Sequence, residues 1–294
     1  MSHSDPTYVS RAVRPSACAR SPAAPVEIAS LVLAAPLRPS PNTGVRPTYA
    51  YWGGENLYVN LTSRCSSACV FCLRESTWEM FGSDLYLGED DEPTAADVIA
   101  ALEAEMGRAP GATPAVVNDA ADKVTARAPE QVVKRVTDGA VRGAADRAVG
   151  VARPREVVFT GLGEPTVRLD VLLEVVWWLT AIGLASRVDT NGHASLLHPD
   201  RAVVAELVAA GLDGVSVSLN SPDTASYDEL CRPSHPGAFA AVLDFVRDSV
   251  LAGLETTATM VGIPGLPMEP VAQLAAELGA AFRVRPYLPP RTGQ

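Results

Sequence analysis

Three cysteines, Cys65, Cys69 and Cys72, fall within eight residues of the segment NLTSRCSSACVFCLRES, directly after an apolar run. Three thiolates on one short loop can hold three irons of a [4Fe–4S] cluster and leave the fourth iron open to a small molecule. A structural zinc site would need a fourth ligand to close its shell, and here that ligand would have to be Cys231 or a distant histidine. A group of buried thiols would account for one or two cysteines, but not for three interleaved with Arg64, Ser66 and Ser67. The spacing favours the open cluster, with zinc as the alternative.

Further residues that could do chemistry follow in order. Phe159-Thr160-Gly161-Leu162-Gly163-Glu164-Pro165 ends a second apolar run in a glycine-rich turn with one acidic side chain. A strand end with exposed backbone and one carboxylate suits an ammonium group, although the same pattern also serves as a plain strand-to-helix turn. Thr190-Asn191-Gly192 is first of all a turn signal. Arg283 and Arg285 alternate with Phe282 and Val284, so both point to one face of a strand. Turned inward, they could clamp a carboxylate or phosphate; turned outward, they meet solvent. Cys231, in YDELCRP, is either a small apolar residue at a helix end or a thiol at the active site. His193, His198 and His235 have no metal-ligand spacing, and His198 before Pro199 reads as a helix start.

The elements that must position these residues alternate. Strand-like runs occur at Leu57–Leu61, Glu156–Thr160, Ser186–Asp189, Gly214–Leu219, Thr256–Val261 and Phe282–Arg285. Helical patterns lie between them at Thr94–Met106, Leu169–Ile182, Pro199–Ala210, within Phe239–Ala252, and at Met268–Leu278. Val171, Leu172, Val175, Val176 and Leu179 keep the 3.6-residue period of a helix on a sheet. Six βα units imply an α/β fold with a parallel sheet that stays open or closes toward a partial barrel. The candidate residues fall at the carboxyl ends of its strands, where barrel-type α/β folds do their chemistry. Residues 1–46, rich in Pro, Ala, Ser and Arg, read as a disordered leader. The Ala- and Val-rich stretch 107–152 reads as a helical insertion, either a surface hairpin or a partner-docking element. The main domain is then 47–294.

The 294 residues carry a net charge of −10. Residues 1–46 carry +3 and residues 107–150 carry +2, leaving −15 on the remainder. So acidic a domain lacks the footprint of a duplex nucleic-acid binder, and a small-molecule or peptide substrate is expected instead. Five cysteines without framework spacing argue against a secreted disulfide scaffold, and no run approaches the length of a membrane span. A cytoplasmic protein is expected.

The cysteine segment resembles the CxxxCxΦC signature of radical S-adenosylmethionine (SAM) enzymes, with Phe71 as the aromatic, and Gly161–Pro165 is similar to that family's GGEP segment, with Leu162 replacing one glycine. Within the family, NLYVNLTSRCSSACVFC, GLGEPTVRLDVLLEV, RVDTNGHASLLH, VSVSLNSPDTASYDELCRP and FRVRPY together resemble the TatD-associated group. The resemblance implies a (β/α)6 partial TIM-type barrel with the insertion after its first βα unit. It implies a [4Fe–4S] cluster on Cys65, Cys69 and Cys72, and SAM cleaved reductively to a 5′-deoxyadenosyl radical that takes hydrogen from a substrate. Gly161, Gly163, Glu164 and Pro165 would meet the methionyl ammonium, with Asn191 nearby. Ser218 and Asn220 would meet the ribose or carboxylate. Gly262 and the backbone of Phe71 would pack on adenine; by their alternation alone, Arg283 and Arg285 on an interior face could clamp a carboxylate or phosphate of SAM or substrate. Cys231 is a candidate hydrogen-atom donor or cluster ligand. A reductant such as a flavodoxin or ferredoxin and a functional link to a TatD-type nuclease also follow. The alternatives are a cluster protein that binds SAM or transfers electrons without turnover, and a zinc-stabilised interaction module.

Overall fold

The computed structural model describes residues 47–107 and 153–288. The leader at 1–46 and the insertion at 107–152 lie outside the described residues, apart from Gly107, which closes a helix. The domain starts with a hairpin, β1 (Ala50–Gly53) and β2 (Asn56–Asn60), joined through Gly54 in the left-handed region. After the cysteine loop comes a two-residue hairpin, β3 (Glu79–Met80) and β4 (Ser83–Asp84). Its turn residues Phe81 and Gly82 both have positive φ, as a primed turn requires. Helix α1 (Ala95–Met106) opens with a reciprocal capping box between Thr94 and Asp97.

Alternation follows: β5 (Val157–Thr160), α2 (Leu169–Ala181), β6 (Ser186–Thr190), the short α3 (Ala194–Leu197), α4 (Val203–Ala210) and β7 (Gly214–Ser218). The chain then forms α5 (Thr224–Cys231), α6 (Ala238–Leu251), β8 (Glu255–Val261), α7 (Glu269–Glu277) and β9 (Ala281–Arg285). The seven-stranded sheet runs β1-β2-β5-β6-β7-β8-β9, with β1 antiparallel and the other six strands parallel in chain order. Among the described residues β1 and β9 share no ladder, so the sheet is open. Against the expected Pro199–Ala210 helix, α4 starts at Val203. His198 instead terminates α3, and its Nε2 lies 2.7 Å from the Thr166 carbonyl oxygen.

Cross-strand register divides the sheet into two faces. Leu57, Val59, Val157, Phe159, Val188, Val215, Val217, Ala258 and Met260 pack with Leu172, Val175, Val176, Leu179, Val242 and Val246 of the helices in one buried core. The opposite face carries Tyr58 beside Val158, Arg187 and Gly214 in one row. Asp189, Ser216 and Thr257 form the next row, and Ser218, Thr259 and Arg283 the one nearer the carboxyl ends. This second face is polar.

Candidate functional site

The cysteine loop leaves β2 and is pinned from two sides. Arg74 donates to the Ser63 and Ser67 carbonyls at 3.0 and 3.1 Å and to the Cys72 sulfur at 3.4 Å. On the other side, the end of α5 lies antiparallel to the loop: the Ala68 amide donates to the Cys231 carbonyl, the Val70 amide to that of Leu230, and the Ser234 amide to that of Ser66. This places Cys69 opposite the buried Cys231 thiol. The hydrogen bond with Cys231, followed by burial, holds the Cys69 thiol well above its usual pKa. Burial, with the Glu164 charge adding to it, pushes Cys65 up to about 12. Both sulfurs are thus held as thiols rather than thiolates at neutral pH. Phe71 packs half-buried against the core.

The Gly161–Pro165 turn crosses directly over this loop. A Cβ on Gly163 would stand 2.1 Å from the Thr62 carbonyl oxygen and 2.8 Å from that of Arg64, so only glycine permits the approach. Gly161 has φ +129° and would press a Cβ to 2.6 Å from the Asn60 side chain. Glu164 is fully buried. One carboxylate oxygen accepts from the Thr166 amide, the Thr166 hydroxyl and the Thr190 hydroxyl; the other accepts from the Asn191 amide at 2.7 Å. Burial raises its pKa against the opposing pull of these donors. Glu164 therefore ties the ends of β5 and β6 together, and Pro165 starts the single 3₁₀ turn Pro165–Arg168.

Asn191 links this turn to the cysteines. Its side-chain Nδ2 donates to Ser66 Oγ at 2.9 Å and to the Cys65 sulfur at 3.8 Å. Behind it runs a buried chain that the sequence did not signal: Ser66 Oγ lies 3.0 Å from His193 Nδ1, and His193 Nε2 lies 2.8 Å from the Tyr227 hydroxyl. Burial, with a smaller contribution from the His235 charge, lowers the His193 pKa to about 4, so the imidazole is neutral. Glu92 is a second unsignalled residue. It accepts from Thr62, Arg64 and Arg168, fixing the loop's exit from β2 to the 3₁₀ turn.

The remaining candidates lie toward β7–β9. Asn220 is buried at φ +56° and locks strand ends: its oxygen accepts from the Val261 amide, and its nitrogen donates to the Ser218 carbonyl and, at 3.6 Å, to the Cys231 sulfur. The Gly262 amide donates to the Arg285 carbonyl, and a Cβ there would meet Val284 at 3.0 Å. Arg283 and Arg285 both turn to the polar inner face, donating to Ser216 Oγ at 2.9 Å and Ser218 Oγ at 3.0 Å. Loop, turn, Asn191 and Cys231 thus converge at one end of the sheet, with the two arginines on its inner face.

Residues 59–278 match the family model described as "Radical SAM superfamily". The chain belongs to the radical SAM superfamily. Two proteins of Halobacterium salinarum strains, each described as "Probable GTP 3',8-cyclase", are 33% identical over 141 residues, 47% of this chain and 36% of theirs. The chain thus spans about a third of the length of these curated relatives. Among solved structures, Streptococcus suis SuiB bound to S-adenosylmethionine is similar at 15% identity, covering 80% of this chain and 41% of that one with a TM-score of 0.49. TYW1 with a lysine-pyruvate adduct bound is similar at 13% identity, 80% and 65% coverage and a TM-score of 0.48.

Radical SAM proteins as a family use a [4Fe–4S] cluster and SAM. Among the described residues no three His, Cys, Asp or Glu side chains stand close enough together to cage a metal ion. The donor chemistry nevertheless fits a cluster. Three soft thiols occupy one pinned loop, and N–H donors from Asn191 and Arg74 point at two of the sulfurs, the outer contacts that tune such clusters. Among the described residues no helix is long and apolar enough to cross a membrane.

Proposed function

We propose that the protein is a cytoplasmic radical SAM enzyme, of the TatD-associated kind by its sequence segments, whose Cys65, Cys69 and Cys72 hold a [4Fe–4S] cluster. Its sheet would curl into the (β/α)6 partial barrel, an arrangement supported by six parallel strands in chain order. When bound, cluster and SAM supply the radical that takes a hydrogen atom from the substrate. The chain's residues bind, orient and shield. The Gly161–Gly163 backbone, held over the cysteine loop by Glu164, would meet the methionyl group together with Asn191. Ser218, Asn220 and Gly262 would shape the pocket for the nucleoside, and the backbone at Phe71 would border it. A small-molecule or peptide substrate, a flavodoxin- or ferredoxin-type reductant and a functional link to a TatD-type nuclease complete the reading. The observation that supports it is the packing of Gly163 onto the Thr62 and Arg64 carbonyls, which brings the glycine turn against the start of the cysteine loop.

One observation favours a second reading. Cys231 beside Cys69 offers a fourth thiol, enough to close the shell of a zinc site or of an electron-carrying cluster. Metal and sulfide analysis of anaerobically prepared protein separates the two. The open-site reading expects about four irons with matching sulfide, kept in Cys231→Ala and lost in Cys69→Ala. Zinc without iron, or loss of iron in Cys231→Ala, would favour the closed site.

A further inference from the structure

The inner face of the sheet carries six charged side chains, Glu156, Arg187, Asp189, Glu255, Arg283 and Arg285, and they are unevenly paired. Arg187 serves two of the carboxylates, donating to Glu156 at 3.2 Å and to Asp189. Arg283 and Arg285 form no ion pair among the described residues; each is held only by a neutral serine hydroxyl, Ser216 and Ser218 respectively. The Nε–H of Arg285 is buried without an acceptor, and so is the hydroxyl of Tyr51, whose strand neighbour Tyr58 lies on the same face. Arg283 is exposed, but the Arg285 guanidinium is partly withdrawn from water without an ion pair, which is costly unless a ligand completes it. Burial lowers the Arg285 pKa, with Asp189 opposing that shift.

Depth distinguishes what the pair can hold. Arg285 is registered with Val261 at the carboxyl end of the sheet, and its charge reaches Cys69. Arg283 is registered with Thr259 and reaches Ser216, the register partner of Asp189, near the middle of the strands. The two forks therefore run from the level of the cysteine loop down the inner face, away from the Gly161–Glu164 turn on the β5 side. Two neighbouring guanidiniums match the paired oxygens of a carboxylate or phosphate.

We infer that Arg283 and Arg285 form the substrate's oxyanion site, so that the molecule acted on carries a carboxylate or phosphate held on the inner face beneath the cysteine loop. The inference rests on the radical SAM reading and names the chemistry of its substrate. The other source of such an oxyanion is the carboxylate of SAM itself, and the test separates the two.

Reconstituted protein saturated with SAM is titrated calorimetrically with inorganic phosphate and with acetate, and SAM affinity is measured separately. At least one probe is expected to bind beside SAM. Arg283→Gln and Arg285→Gln should each weaken that probe about tenfold or more, equivalent to about 1.4 kcal/mol, while SAM affinity changes less than about twofold. Neither probe binding to the SAM-loaded protein would overturn the inference. A tenfold loss of SAM affinity with unchanged probe binding would overturn it too, assigning the arginines to the cofactor. Ser216→Ala, which frees Arg283 without removing charge, is the second variant; folded protein with unaltered probe affinity would also count against the site. Deoxyadenosine formation without probe binding sinks this inference alone. Absence of iron and of deoxyadenosine sinks the radical SAM reading, whatever the arginines bind.

Discussion

Along β6 the side chains alternate between two worlds. Ser186, Val188 and Thr190 are at most 3% exposed on the helix-covered side, while Arg187 and Asp189 turn to the inner face. In β9 Arg283 and Arg285 alternate likewise with Phe282 and Val284, but this edge strand is little covered and Val284 is 41% exposed. Parallel strands buried on both faces usually read as continuous apolar runs. These do not, because their second face carries Arg187, Asp189, Ser216, Ser218, Arg283 and Arg285. One face carries the stability, the other is the one proposed to carry the chemistry, and a step of one residue separates them.

That division sets what should happen when each face is broken. Phe159 is completely buried on the helix side, so Phe159→Ala should cost about 3–5 kcal/mol in urea unfolding, whereas Arg283→Gln should fall within about 0.5 kcal/mol. Equal losses would erase the distinction. His193 sits behind the cysteine loop, with a pKa lowered from 6.5 to about 4 by burial. The unfolded chain therefore takes up that proton first as pH falls. Its contribution is complete above pH 6.5 and drains away down to about pH 4, roughly 3 kcal/mol in all. His193→Gln should flatten that part of the stability–pH curve, and an unchanged slope would show that the imidazole is not buried neutral. Gly163→Ala must push backbone away from the Thr62 and Arg64 carbonyls, at a cost of about 1–3 kcal/mol and with iron content reduced. Wild-type iron in a folded variant would mean the turn and the loop are independent.

The strands were legible because β-branched and apolar residues alternate there, and each of the six parallel strands lies within a residue of its expected bounds. The elements that escaped are those with no such pattern. β1 is four residues ending at Gly53, β3 and β4 are two residues each, and α5 reads TASYDELC with little apolar stripe. The cysteine loop and the glycine turn were visible as local spacing. The Ser66–His193–Tyr227 chain was not, because its members lie 127 and 34 residues apart and only the fold joins them. Glu92 was hidden likewise, in a run of acidic residues that reads as a solvated surface.

The most direct measurement is SAM turnover by anaerobically reconstituted protein with dithionite, with 5′-deoxyadenosine followed by mass spectrometry beside a Cys69→Ala control. The account predicts deoxyadenosine from the iron-loaded wild type and none from the variant. Deoxyadenosine from Cys69→Ala, or none from a fully iron-loaded wild type that binds SAM, would contradict it.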